Sequence, residues 1–230
     1  IMSTTFTIQP GQFKLADLRA IWQKPFKLAL AESAYTAINE SSATIDRIVA
    51  KGDAAYGINT GFGKLAKTRI PDEDLELLQK NLILSHSVGS GELISDEVVR
   101  LIIAMKIASL ARGFSGIRAS VIDTMIAAYN AGIMPAIPVK GSVGASGDLA
   151  PLSHMTLAIM GEGQVRVDGK MVDAKTALAN AGITPVVLAA KEGLALINGT
   201  QQITALGAEA IWRAQNLAIS ADAITALTLE

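Results

Sequence analysis

A mainly α-helical fold is predicted by three features of the sequence. Apolar residues recur at three- and four-residue spacing through several segments. Strand signals are confined to a short hairpin around Asp168-Gly169. The closing stretch from Thr200 is rich in Ala, Leu and Ile and reaches the last residue with no polar tail to end it. In chain order, Pro71 followed by Asp72, Glu73 and Asp74 marks a helix start, because Pro suits a first turn and carboxylates favour the positive end of the helix dipole. Leu75, Leu78 and Leu82 continue it at helical spacing. Ser95, Asp96 and Glu97 open a second helix with the stripe Val99, Ile103, Ile107, Leu110, and Gly113 closes it after Arg112. A third runs from about Ala119 to Asn130, and the hairpin pairs Gln164 to Val167 with Lys170 to Val172. The segment from Thr200 to Glu230 is apolar over much of its circumference and is expected to lie buried among other helices. The chain therefore reads as residues 1–199, carrying the loops described below, and 200–230, an apolar helix cut in mid-course, with a native C-terminal helix that frays as the other reading.

Composition limits the function. The 230 residues are 50% hydrophobic and 18% charged, with net charge -1 and a mean hydropathy of +0.37. The charged share lies below the roughly 25% of ordinary soluble domains, so the chain is folded, with a sizeable core. Near-neutrality leaves no electrostatic footprint for nucleic acid or an anionic membrane. No apolar run reaches the roughly 20 residues of a spanning helix. With no cysteine, disulfides, thiolate metal sites and thiol catalysis are excluded, no metal is expected, and the cytoplasm is the default compartment. No signal peptide is legible, and Ile1 ahead of Met2 reads as a scar before a native start.

Two glycine-rich segments are candidates for chemistry. Gly61, Gly63 and Ala66 satisfy a relaxed GxGxxA spacing, but no hydrophobic strand precedes them, so a dinucleotide fold is not indicated. The run from Gly141 to Asp148 fails as a phosphate loop because Asp148 stands where a Lys is needed, and as a nucleophile elbow because it stands where a Gly is needed. What remains is Ala145-Ser146-Gly147. Gly147 has no Cβ, so its nitrogen can approach the Ala145 carbonyl. Attack there with loss of water would close a five-membered ring, and elimination of the Ser146 hydroxyl would leave an exocyclic methylidene. An ordinary turn is the other reading of the same residues.

The run GSVGASGDLAPLSH, from Gly141 to His154, resembles the signature of the aromatic amino acid ammonia-lyase family. YGINTGFG from Tyr56, RGFSGIR from Arg112 and KEGLALINGT from Lys191 resemble the same family in the same order, so the likeness spans the chain. Leu84-Ser85-His86 resembles its histidine ammonia-lyase branch. The resemblance implies that Ala145, Ser146 and Gly147 form 4-methylidene-imidazol-5-one, and that L-histidine is converted to trans-urocanate and ammonia. It further implies that Tyr56 is the base for the β-proton, its phenol pKa drawn below the usual value near 10. The resemblance also implies that Asn198 places an amide beside the ring, that His86 meets the substrate imidazole and that Asp148 assists ring formation; read on their own, Asn198 suits a turn or helix cap, His86 a helix C-terminus and Asp148 a helix N-cap. His154 reads as structural, and Glu192 as a helix-start acid rather than a catalyst. Complete family members are much longer and assemble as homotetramers whose sites draw on several subunits. The ring is accordingly expected to be largely unformed in this chain, and the chain to be inactive and self-associating. Another ammonia-lyase or an aminomutase is the alternative within the family, and a non-enzymatic helical assembly fragment the alternative outside it.

Overall fold

A computed structural model describes residues 4–229; the reading of Ile1 and Met2 lies outside them. The chain runs through β1 (Thr5–Ile8), α1 (Leu15–Gln23), β2 (Lys27–Leu30), α2 (Ala34–Lys51), α3 (Leu75–His86), β3 (Ser90–Leu93), α4 (Asp96–Leu110), α5 (Ala119–Asn130), β4 (Met134–Pro135) and β5 (Pro138–Lys140). It continues through α6 (Leu149–Met160), β6 (Gln164–Val167), β7 (Lys170–Asp173), α7 (Ala174–Asn180), α8 (Glu192–Ile197) and α9 (Gln201–Leu229). No helix among the described residues is long and apolar enough to cross a membrane.

At the centre stands α4. Ten of its fifteen residues are buried, from Val98 to Leu110, because it is apolar on every face and other elements close around it. Helices α1, α5 and the first turns of α9 pack on it. Its start matches the sequence reading, with Ser95 preceding Asp96 and Glu97. Arg166 in β6 ties that start to the hairpin by an ion pair with Asp96, 2.6 Å. The hairpin itself is as read: β6 and β7 join through Asp168 and Gly169, both at positive φ, the conformation a two-residue turn of the favoured kind requires.

Helix α3 departs slightly from expectation. The acidic run Asp72–Asp74 forms a single 3-10 turn, and the α-helix begins at Leu75. A second buried helix, α6, starts immediately after the small-residue loop. Its Pro151 falls in the first turn, where a missing N–H costs nothing, and Gly161 in the left-handed conformation ends it.

The larger departure concerns α9. Buried surroundings were expected along its length, but only Gln202, Ala205 and Trp212 are buried. Trp212 packs on Trp22 with ring centroids 5.4 Å apart. Beyond it Leu217, Ile219, Ile224 and Leu227 face solvent. The sequence pattern identified a helix that needs cover, and among the described residues the cover ends with Trp212.

Candidate active site

The loop joining β5 to α6 carries Ala145, Ser146 and Gly147. Ala145 and Ser146 are exposed, whereas Gly147 is buried with φ +123°. A Cβ at Gly147 would lie 2.5 Å from the Gly199 carbonyl oxygen and 3.0 Å from its nitrogen, so only glycine fits there. The neighbouring Asp148 N–H donates to the same carbonyl at 2.7 Å. The Asn198–Gly199 turn, which ends α8, is thus the wall against which the loop rests. The residue whose nitrogen would close the ring is the one the structure restricts to glycine, and the three residues would supply every ring atom. They fit the group that the sequence implies.

Asp148 is fully buried, and its carboxylate is occupied. One oxygen accepts from the Ser142 hydroxyl at 2.6 Å and the other from the Ile203 N–H at 2.9 Å. Asp148 precedes α6 but makes no side-chain cap there; it caps the first turn of α9 instead, fifty-five residues away. One buried carboxylate therefore joins the near side of the loop to the helix that follows Gly199.

A cavity of about 240 Å³ opens beside the loop, lined by Ser85, His86, Val88, Ala145, Ser146 and Gly147 among others. His86 ends α3, and its Nδ1 lies 2.8 Å from the Leu82 carbonyl. A carbonyl only accepts, so Nδ1 carries the proton, which leaves Nε2 of the neutral ring as an acceptor. His86 therefore both closes α3 and lines the same cavity as the loop.

Tyr56 and Asn198 are placed less directly. Asn198 is exposed at the end of α8, one residue from the wall of the loop. Tyr56 is 60% exposed, edge-on to Phe62 at 6.0 Å, and is not among the residues lining the cavity. Its turn is firmly held. Asn59 is buried, accepting from Ala55 N–H at 2.7 Å and donating to the Asp53 carbonyl at 2.9 Å, while Gly57 abuts Leu194 of α8 so closely that a Cβ there would overlap it. The turn that presents Tyr56 and the helix that presents Asn198 are therefore docked on each other.

The remaining motifs position α8. Glu192 is buried and accepts from the Arg118 Nε at 2.8 Å, from its Nη2 at 2.7 Å, and from the backbone N–H groups of Arg118 and Ala189. This raises the Arg118 guanidinium further above its ordinary pKa. Gly193 donates to Gln79 Oε1 of α3 at 2.9 Å. His154 accepts from the Gly89 N–H at 3.0 Å through Nε2, and burial holds its pKa below the usual value. Glu192 does open α8, and His154 is held by a backbone N–H. Sequence reasoning missed Ser142 and Gly199, which secure the loop, and Lys106. A lone lysine inside a helix apolar on every face had no route to solvent, and that was the available signal.

The sequence model for aromatic amino acid lyases matches residues 13–230. The chain belongs to that family. It is 57% identical over 226 residues to the histidine ammonia-lyase of Salmonella paratyphi B, a match covering 98% of this chain and 45% of that protein. It therefore spans about half the length of the curated relatives it matches. Among solved structures, Trypanosoma cruzi histidine ammonia-lyase superposes with a TM-score of 0.85 at 41% identity, over 94% of this chain and 41% of the other. The phenylalanine aminomutase of Pantoea agglomerans superposes at 0.81 with 33% identity, over 90% and 39%.

Proposed function

We propose that this chain supplies the electrophile-bearing part of a histidine ammonia-lyase, which converts L-histidine to trans-urocanate and ammonia by carbon–nitrogen elimination. The observation that carries the reading is the placement of Ala145-Ser146-Gly147 against Gly199, with His86 on the same cavity. Higher identity to histidine ammonia-lyases than to aminomutases supports the histidine branch.

A 4-methylidene-imidazol-5-one formed from the three residues supplies an electrophile that makes the amino group a better leaving group. The chain's own residues do the rest. His86, with Nδ1–H committed to Leu82, offers Nε2 as an acceptor for the imidazole N–H of the substrate. Tyr56 removes the β-proton, on a turn held rigid by Asn59. Asn198 directs an amide donor to charge developing beside the loop. Asp148 keeps the loop in register with α9 through Ser142 and Ile203.

Residues 1–199 form the part that bears this loop, and 200–230 begin a helical bundle. The exposed face of α9 beyond Trp212 is covered by another copy in a homo-oligomer. The compartment is the cytoplasm, and neither nucleic acid nor membrane is a partner.

Two substitutions in a full-length version test the reading through urocanate absorbance. Ser146→Ala removes the only hydroxyl that can become the methylidene and is expected to abolish deamination with the fold intact; near-normal activity would refute the electrophile. His86→Leu is expected to lower the preference for histidine over phenylalanine, and an unchanged ratio would assign His86 to structure.

A further inference from the structure

One buried cation is left without a role by the site as described. Lys106 lies in the middle of α4 and is only 2% exposed. Among the described residues it forms no ion pair. Nearby charge makes its position worse: Lys191 repels it, and burial with that repulsion pulls its pKa from the ordinary lysine value down to about 7. Two buried carboxylates of the core are committed elsewhere, Glu192 to Arg118 and Asp148 to Ser142 and Ile203. Lys191 itself donates to the Ser115 carbonyl at 3.2 Å.

The polar contact Lys106 does make is to the Asn198 carbonyl oxygen, at 3.4 Å. This is long for a hydrogen bond and is better described as an ammonium facing a carbonyl dipole across an interior of low dielectric. The carbonyl belongs to the peptide joining Asn198 to Gly199. The nitrogen of that peptide and the carbonyl of Gly199 are the atoms that crowd Gly147, and the same Gly199 carbonyl accepts from Asp148. Lys106 therefore meets the turn from inside the core, and the Ala145-Ser146-Gly147 loop meets it from outside.

We propose that Lys106 is a positioning residue that fixes the Asn198–Gly199 turn as the rigid wall of the Ala145-Ser146-Gly147 loop. The proposal rests on the reading of that loop as the precursor of the electrophile, because a strained conformation persists only where its surroundings over-determine it. It accounts for a cation kept where an apolar side chain would pack at lower cost, since replacing buried charge by hydrophobic side chains of similar size is often neutral or stabilising. With Lys106 gone, the Asn198 carbonyl loses its one charged partner and the turn can move away from Gly147.

Hydrogen exchange followed by mass spectrometry on this chain, comparing the unchanged sequence with Lys106→Met, tests the proposal. Met retains the length and removes the charge. The expected result is a melting temperature equal to or above that of the parent, together with at least tenfold faster exchange confined to Asp148 and residues 198–200. Unchanged exchange in a folded variant would overturn the proposal. So would faster exchange spread evenly over α4, α6 and α8 with a lower melting temperature, which would mark Lys106 as general packing. Lys106→Gln, which keeps a donor too short to reach Asn198, takes the place of the Met variant should the latter not fold, with the same two outcomes. Whether the loop cyclises is read separately from the mass of the peptide carrying Ala145 to Gly147, so failure of that reading leaves the exchange result interpretable.

Discussion

Helices α4 and α9 are built from similar residues and have opposite fates. Ten of the fifteen residues of α4 are buried, against three of the twenty-nine of α9. Composition determines which helix needs cover; the neighbours available within the described chain determine whether it has any. Both are rich in Ala, Leu and Ile, yet α4 is enclosed by α1, α5 and the first turns of α9, while α9 passes beyond everything after Trp212. The two regions therefore differ in energetic meaning. In α4 each apolar side chain contributes to folding, and in the outer part of α9 the same side chains contribute only when a second surface arrives.

Truncations sharpen this contrast. Ile102→Ala in α4 empties a fully buried site and is expected to cost about 2–5 kcal/mol, and Trp212→Ala about 3–5 kcal/mol, in denaturant unfolding. Leu217→Ala, in the exposed part of α9, is expected to stay within about 0.5 kcal/mol when the chain is dilute. Equal losses at Ile102 and Leu217 would show that α9 is already covered. A charge at the same place isolates association from folding: Leu217→Asp is expected to leave unfolding nearly unchanged while abolishing the rise in light scattering with concentration. A parent chain that scatters as a monomer at every concentration would mean that α9 folds back on its own domain.

A smaller effect is expected at His154 in α6. Burial lowers its pKa and its Nε2 accepts from Gly89, so the folded state favours the neutral ring. The unfolded chain then takes up the proton first as pH falls. Stability from this group is complete above the unfolded value near 6.5 and declines as pH drops from there toward the lowered folded value. His154→Gln keeps an acceptor that does not titrate and is expected to flatten that part of the acid unfolding curve. An unchanged slope would remove His154 from the account.

Much of the scaffold was legible in the sequence where an element carried its own boundary signals. The third helix was read as Ala119 to Asn130, its observed limits, and the hairpin was given away by Asp168-Gly169. The parallel pair of β1 and β2 was not seen, because four-residue strands carry little periodicity and their pairing depends on Asn130, whose side chain bonds both the N–H and the carbonyl of Leu28 from a hundred residues away. The site divides in the same way. Ala145, Ser146, Gly147 and His86 could be found from motifs, whereas what holds them could not. Asp148 suggested a cap for the helix it precedes, but the chain returns α9 to it, and a partner fifty-five residues distant leaves no trace in local spacing. Lys106 was visible as a lysine in an apolar helix, but its contact was not, since that depends on where Asn198 arrives in space.

The most direct test of the central claim is the mass of the peptide spanning Ala145 to Gly147, measured in this chain and in a full-length version that deaminates histidine. If the ring closes only where the rest of the full-length protein compresses the loop, as proposed, two waters are missing from the peptide of the active full-length protein and the Ser146 hydroxyl is intact in this chain. An active full-length protein whose peptide retains both waters would contradict that proposal.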